Sequence, residues 1–166
     1  MAVEVVAHDP RWAEAFAAEA RAIAPAVGGV LHHIGSTAVP GLPAKPIIDM
    51  LGEVASFSAI DTAALTARGY QAMGAFGIPS RRYFRRCGPD GRRSHHLHVF
   101  LTGSTQVERH LAFRDYLRAH PAQAEAYGAL KLSLLGPGTA WEDYMDGKAP
   151  FIAATEVLAL VWHRAR

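Results

Sequence analysis

The chain has 166 residues, of which 50% are hydrophobic and 19% charged, with a formal net charge of +2. This composition excludes a disordered chain, and the length favours one domain over residues 1–166. No stretch approaches the ~20 apolar residues that span a bilayer, and Met1–Glu4 lacks the basic start of a secretory signal. We therefore expect a cytoplasmic protein without a membrane partner. The one cysteine, Cys87, excludes an internal disulfide and a multi-cysteine zinc site.

Helices and strands are predicted from hydrophobic periodicity and from turn residues. The predicted strands cover residues 30–34, 46–51, 70–73, 82–86 and 95–101. The predicted helices cover residues 10–27, 58–67, 105–120, 121–135 and 151–162. This order predicts an α/β or α+β fold, in which helices cover a sheet and the last third of the chain is helical.

Several helix starts are predicted from capping residues. Ser58 is expected to cap the second helix. The segments 105–108 and 139–142 have the pattern of a capping box. Pro150 is expected to kink or restart the final helix.

The turn at Gly35-Ser36 and the carboxylate of Asp49 carry the first functional signal. Backbone N–H groups of such a turn, with a serine hydroxyl, bind phosphate oxygens. Asp49 on the next strand is placed to hold a divalent cation against the same phosphates. The alternative is an ordinary turn and a polar strand residue, but a carboxylate within an apolar strand needs a partner.

The sequence from His33 to Asp49 resembles the signature of the GrpB family, also called UPF0157. Further similarity lies at residues 9–12, 96–99, 113–118, 127–131, 144, 148 and 151. The resemblance implies a nucleotidyltransferase-like fold of the polymerase-beta type, with a mixed sheet. It also implies a link to CoA metabolism, because GrpB-like domains occur fused to dephospho-CoA kinase. The phosphate-binding residues that it implies are Gly35, Ser36, Thr37, Lys45, Lys131 and Lys148.

One feature of active nucleotidyltransferases is missing. These enzymes resemble this chain at the Gly-Ser turn, but they carry Asp-x-Asp on the following strand, so that two carboxylates on one face share a pair of metal ions. Here Leu51 occupies the second position. Glu53 shares the face but lies roughly 13 Å further along a strand that rises ~3.3 Å per residue. The sequence therefore argues against two-metal nucleotidyl transfer.

Histidines on a later strand suggest a different cation site. His96 and His98 alternate onto one strand face. With Asp49 they would form a set of two imidazoles and one carboxylate, which suits Mn or Zn more than Mg. His33, beside the turn, is a further candidate for a ligand or a general base. The alternative is that these histidines only form hydrogen bonds with their neighbours.

An arginine-rich segment over residues 81–93 surrounds Tyr83 and Phe84. Arg82 and Arg85 are candidate phosphate contacts. They point to opposite faces of a strand, so only one of them can line a given cleft. A solvated basic edge strand is the alternative. The patch is too local to indicate nucleic acid, so a nucleotide or phosphorylated small molecule is the expected partner.

Three functions remain open at the level of sequence. The first is a protein that binds a nucleotide or phosphorylated metabolite, with metal-dependent nucleotidyl or phosphoryl transfer if it is an enzyme. Here Asp49 and His33 are the candidate catalytic residues, and Asp49, His96 and His98 are the candidate metal ligands. The second is a non-catalytic ligand-binding or accessory module. The third is a single-metal phosphoester hydrolase with His33 as its base.

Overall fold

A five-stranded mixed sheet organises residues 3–166, the part of the chain that the computed structural model describes. The strands are β1 Val30–Ile34, β2 Ile48–Val54, β3 Tyr70–Ala72, β4 Arg82–Cys87 and β5 Arg93–Leu101. They lie in the order β1-β2-β5-β4-β3, with β2 and β5 parallel and the other pairs antiparallel. The helices are α1 Arg11–Val27, α2 Thr62–Ala67, α3 Thr105–Ala119, α4 Pro121–Ser133 and α5 Trp141–Arg164. The predicted α/β class, with its helical last third, is confirmed.

The two faces of the sheet bury different sets of side chains, because successive strand residues point to opposite sides. One face packs on α1 and α2 through Met50, Phe84 and Leu97. The other face packs on α3 through Leu51 and Phe100. Asp49 shares its strand and its face with Leu51, so it lies on the α3 side of the sheet.

A third apolar cluster attaches the C-terminal helices to the segment that follows β1. Val39 and Leu42 pack there against Leu117 of α3 and Tyr127 of α4. Phe151 of α5 stacks on Tyr127 with ring centroids 5.0 Å apart. This packing brings α4 and α5 to the edge of the sheet at which β1 ends.

Two predicted caps are wrong, and in each case a neighbouring residue with a short polar side chain caps the helix. Ser104, and not Thr105, accepts a hydrogen bond from the Gln106 backbone N–H at the start of α3. Asp61, and not Ser58, caps α2. Ser58 lies in a short 3-10 turn instead.

The final helix begins at Trp141 and continues through Pro150, so the predicted restart of the helix at this proline is wrong. The Thr139 hydroxyl accepts a hydrogen bond from the Gly136 N–H in the preceding turn, so the predicted capping box does not form. Contacts after the proline, including an Arg109–Glu156 ion pair at 2.7 Å, hold the helix against α3. Tertiary packing therefore overrides the local preference for a break at proline.

Met1 and Ala2, on which part of the expectation about a secretory signal depends, lie outside the described residues. Of the helices in residues 3–166, none combines the length and the apolar character that a membrane crossing requires.

Candidate functional site

The turn after β1 lies directly against Asp49. Gly35 has φ 72° and ψ −174°, a backbone conformation that only glycine adopts readily. A Cβ atom at Gly35 would lie 2.8 Å from Asp49 Oδ2. Glycine is thus required for two reasons, the backbone angle and the close approach of the carboxylate. Residues Ser36–Ala38 then form a 3-10 turn.

Two arginines of α3 donate hydrogen bonds to the backbone of this turn. Arg114 Nη1 donates to the His33 carbonyl at 3.1 Å, and Arg118 Nε donates to the Ala38 carbonyl at 2.8 Å. Asp115 accepts from Arg114 Nε at 2.8 Å and fixes that guanidinium. The arginines are four residues apart, so they lie on one helix face. They therefore fix the backbone on both sides of Gly35.

The parallel pairing of β2 with β5 brings Asp49 to the histidine strand. Asp49 pairs with His96 in the sheet register. His96 Nδ1 donates to Asp49 Oδ1 at 3.1 Å, and His98 Nε2 lies 3.8 Å from the same oxygen. Burial alone would raise the pKa of Asp49, but the two imidazoles outweigh burial and hold that pKa below its usual range. Asp49 is therefore ionised at neutral pH.

The separations within this cluster suit a metal ion. One ligand atom from each of Asp49, His96 and His98 lies within 4.8 Å of the other two. Ligand atoms of a tetrahedral zinc site lie about 3.4 Å apart, with each about 2.1 Å from the ion. His96 Nε2 is also buried without a hydrogen-bond partner in residues 3–166. The cluster is thus a candidate metal site of mixed imidazole and carboxylate donors.

Arg81 acts against metal binding at His98. This arginine is only 6% exposed, and its Nη1 lies 3.2 Å from His98 Nδ1. A guanidinium can only donate, so His98 Nδ1 accepts and the ring proton sits on Nε2, facing Asp49. A histidine that binds a metal normally donates its second ring N–H to an acceptor. With Arg81 in place, His98 Nε2 is a proton donor toward Asp49 rather than a free ligand.

All three lysines of the chain converge beside the turn. Lys131 Nζ donates to Ser36 Oγ at 2.9 Å and is only 2% exposed. Lys148 is 8% exposed, and its charge and that of Lys45 both act on Lys131. Within residues 3–166, none of the three forms a salt bridge with a carboxylate. The three side chains form what we call the lysine cluster.

Each ammonium group of the lysine cluster lies over an aromatic ring. Lys131 is 4.6 Å from the Tyr127 ring centroid, and Lys148 is 4.6 Å from that of Tyr144. Lys45 is 3.8 Å from the Trp141 ring centroid. The two tyrosine–lysine pairs are i, i+4 neighbours on α4 and α5, so each ring lies under its own lysine. Such cation–π contacts partly replace lost hydration.

Burial removes much of the hydration of the ammonium groups in the lysine cluster. Burial, together with the charges of Lys148 and Lys45, lowers the pKa of Lys131 to about 7. Burial likewise lowers the pKa of Lys148 to about 8, where Lys45 adds to the effect and Asp49 opposes it. A multiply charged anion would supply the missing negative charge. The lysine cluster, Ser36 and the Asp49 face therefore enclose a candidate anion site.

The structure brings most of the sequence-predicted residues to this site. The residues that converge are Gly35, Ser36, Lys45, Asp49, His96, His98, Lys131 and Lys148. Arg85 lies on the same sheet face, since it pairs with His96.

Three predicted residues are not brought to the Asp49 face. Arg82 lies on the opposite face of the sheet, where its guanidinium covers the Phe57 ring at 4.3 Å. His33 also faces the α1 side, stacked on Phe16 at 4.8 Å. Its Nε2 bonds to the Thr37 hydroxyl at 2.9 Å, so neither group is free for a ligand. Burial lowers the pKa of His33 to about 4. For Arg82 and His33 the cause is strand alternation, which fixes the face. Thr37 lies in the 3-10 turn and is held by its bond to His33.

Sequence reasoning assigned no role to Arg81, Arg114 or Arg118. For the two α3 arginines, their i, i+4 spacing was the available signal. For Arg81 no local signal exists, because its contacts with His98 and the preceding loop arise only when β4 pairs with β5.

Residues 2–157 match the sequence model of the family described as GrpB protein. This chain belongs to the GrpB family. It is 41% identical over 170 residues to UPF0157 protein YqkA of Bacillus subtilis, and 38% identical over 152 residues to UPF0157 protein SCO7215 of Streptomyces coelicolor. The first match covers 99% of this chain and 49% of YqkA, and the second covers 89% and 78%. The chain therefore spans about half the length of YqkA.

Solved structures agree with this assignment. The GrpB protein of Enterococcus faecalis superposes with a TM-score of 0.88 at 41% identity, over 96% of this chain and 99% of that chain. Cid1, solved in complex with its short product ApU, superposes with a TM-score of 0.53 at 10% identity, over 76% of this chain and 42% of Cid1. The expected nucleotidyltransferase-type fold is thus confirmed, and at this identity the likeness concerns the fold alone.

Replacing Gly35 by alanine should lower the stability of the protein and disturb the geometry around Asp49. We expect Gly35→Ala to cost about 1–3 kcal/mol of stability from the backbone conformation alone, and to displace Asp49 from His96 because the new Cβ would meet Oδ2. Thermal unfolding and the chemical shift of the His96 ring measure the two effects. Gly41→Ala is the matched control, since Gly41 also has a positive φ of 79° but has no neighbouring atom within 4 Å. If Gly35→Ala and Gly41→Ala change the chemical shift of the His96 ring equally, the close approach of residue 35 to Asp49 is contradicted.

Arg81→Gln should strengthen binding of a transition metal. The glutamine oxygen can accept the Nδ1–H of His98, which leaves Nε2 free to bind a metal. We expect at least about a tenfold gain in Co²⁺ affinity over the unmodified chain, since outer partners of metal ligands typically change affinity 10–100-fold. The absorption of bound Co²⁺ measures it, and His98→Ala in the same background should cancel the gain. Equal affinities with and without Arg81 would show that this contact does not control the site.

Proposed function

We propose that this chain binds a nucleotide or another phosphorylated small molecule between the Gly35-Ser36 turn and the lysine cluster. The observation that carries the proposal is the convergence of three lysines, two of them nearly fully buried, without a carboxylate partner in the described residues. A buried charge without a partner is costly. The arrangement is therefore expected where a ligand supplies the opposite charge.

Different residues around this cleft can bind different groups of the ligand. Lys131, Lys148 and Lys45 neutralise phosphate charge, and Ser36 offers its hydroxyl beside Lys131. Arg85, on the neighbouring part of the face, can pair with a further phosphate oxygen. Asp49 is an anion and repels phosphate, so its place in the cleft favours a ligand that arrives with a cation.

Metal-dependent phosphoryl or nucleotidyl transfer is a second candidate, favoured by the donor set of Asp49, His96 and His98. These residues would hold one divalent ion, Mn or Zn more than Mg, because two of the three donors are imidazoles. Binding by His98 would require loss of the Nε2 proton that its contact with Arg81 places toward Asp49. Such an ion would neutralise charge on a phosphate group. The lysines would orient the phosphates. Leu51 occupies the position of a second acid and is fully buried, so two-metal chemistry is not proposed.

Three assays separate the candidate functions. Calorimetry with ATP and dephospho-CoA measures binding, metal analysis measures a resident ion, and turnover of a labelled nucleotide measures transfer. Binding without turnover would identify a ligand-binding or accessory module. Release of inorganic phosphate from a phosphoester would identify a hydrolase.

Lys131→Met should weaken anion binding. The substitution keeps the apolar stem and removes one charge-assisted hydrogen bond, worth about 1.5–3 kcal/mol, so the affinity for tripolyphosphate should fall by about tenfold or more. Calorimetry measures the change. Arg82→Met is the matched control, because Arg82 is a cation on the opposite face of the sheet. Equal losses in the two variants would indicate a general charge effect and overturn the proposed site.

Binding of inorganic sulfate should weaken between pH 6 and pH 9. Lys131, with its pKa lowered to about 7, and Lys148, with its pKa lowered to about 8, are cations below these values and become neutral above them. Sulfate keeps its charge over this range, so its affinity should fall as pH rises. The unfolding temperature at saturating and at limiting sulfate concentrations measures how the sulfate affinity changes with pH. In Lys131→Arg the residue stays charged, so the decline near pH 7 should be smaller than in the unmodified chain. A decline of the same size would rule out Lys131 as its source.

A further inference from the structure

The loop between β3 and β4 holds an aromatic side chain in an unusual conformation. Phe76 has φ 46°, in the left-handed region that bulky residues avoid, and is 58% exposed. Ser80 in the same loop has φ 60°. An exposed phenylalanine gains little from burial, so burial of its ring does not explain this conformation. Backbone outliers of this kind cluster at ligand sites.

Buried contacts fix Phe76 in place. Arg81 Nε donates to the Ala75 carbonyl at 3.1 Å, and Arg81 Nη2 donates to the Phe76 carbonyl at 2.9 Å. Ile78, two residues on, packs into the apolar cluster beneath α3. The loop is thus anchored on both sides of Phe76, and the exposed ring is presented to solvent as a preformed surface.

This ring continues an aromatic surface that leads to Asp49. Phe76 and Tyr83 have ring centroids 5.5 Å apart. Tyr83 stacks on His98 at 5.1 Å and meets the edge of His96 at 5.7 Å. His96 in turn bonds to Asp49. The exposed Phe76 ring is therefore connected through the buried Tyr83 and through His96 to Asp49, the carboxylate beside the lysine cluster.

The spacing of the two sites matches one extended ligand. Tyr83 lies on β4 and Asp49 on β2, with β5 between them. Two interstrand spacings amount to about 10 Å, and the lysine cluster lies beyond Asp49 on the β1 side of the sheet. A nucleoside di- or triphosphate has comparable dimensions, with an aromatic base at one end and negative charge at the other. Inorganic polyphosphate carries only the charged part.

We infer that the exposed ring of Phe76, supported by the buried Tyr83, forms a stacking surface for the aromatic base of a nucleotide whose phosphates occupy the lysine cluster. This inference rests on the proposed function and narrows its ligand class from phosphorylated small molecules to nucleoside phosphates. Stacking tolerates every base, because each base has a π-face. The surface therefore selects for the presence of a base and not for its identity.

The experiment compares ATP with tripolyphosphate by calorimetry in the full chain. We expect ATP to bind about tenfold more tightly, within the range of base–aromatic stacking. Phe76→Ala should remove this advantage by weakening ATP about tenfold while leaving tripolyphosphate unchanged. Phe76→Trp should keep the advantage. Thermal unfolding of each variant confirms that the exposed substitution leaves the fold intact.

The outcomes separate this inference from the proposed function. If tripolyphosphate binds and is weakened by Lys131→Met, while ATP binds no better than tripolyphosphate, then the anion site stands and the stacking surface is wrong. If Phe76→Ala leaves the ratio of the ATP affinity to the tripolyphosphate affinity unchanged, the stacking surface is likewise wrong and the anion site stands. If neither compound binds, both the proposed function and the stacking surface are overturned.

Discussion

The close approach of the Gly35 backbone to Asp49 is the constraint on which the rest of the site depends. The antiparallel pairing of β1 with β2 places the turn beside the carboxylate, and the missing Cβ lets the two touch. The arginines of α3 then bind the carbonyls on either side of the turn. Because α4 and α5 pack on the segment that follows, the same turn sets where their lysines arrive. A shift of the turn would thus separate the lysine cluster from the sheet.

Burial of positive charge without acidic partners distinguishes this site from an ordinary ion-pair network. Elsewhere in the chain the buried Glu19 is matched by Arg86 and by the Tyr70 hydroxyl, so its charge is satisfied internally. The lysine cluster has aromatic rings and one serine in place of carboxylates. Cation–π contacts recover only part of the hydration that burial removes. The remaining deficit is the reason for proposing that the cluster binds an external anion.

The same sheet geometry limits the chemistry at Asp49. Leu51, two residues on, points to the same face but is fully buried beneath α3. A carboxylate at position 51 would be a buried charge in an apolar cluster. Because such a charge is costly, this fold does not readily accommodate a second acid there. The imidazoles on β5 are the available replacements, and Arg81 holds one of them as a proton donor. The candidate metal site and the loop that carries Phe76 are therefore connected through the guanidinium of Arg81.

Sequence patterns alone determined the order of helices and strands, the Gly-Ser turn, and the alternation that puts His96 with His98 and separates Arg82 from Arg85. These features follow from local periodicity and turn chemistry, which act over a few residues. Tertiary structure alone decided which strand face meets Asp49, and so placed His33 and Arg82 on the other side. It also decided that Lys45, Lys131 and Lys148 converge, and that α5 passes through Pro150. These outcomes depend on packing between segments far apart in the chain, and no local pattern contains that information.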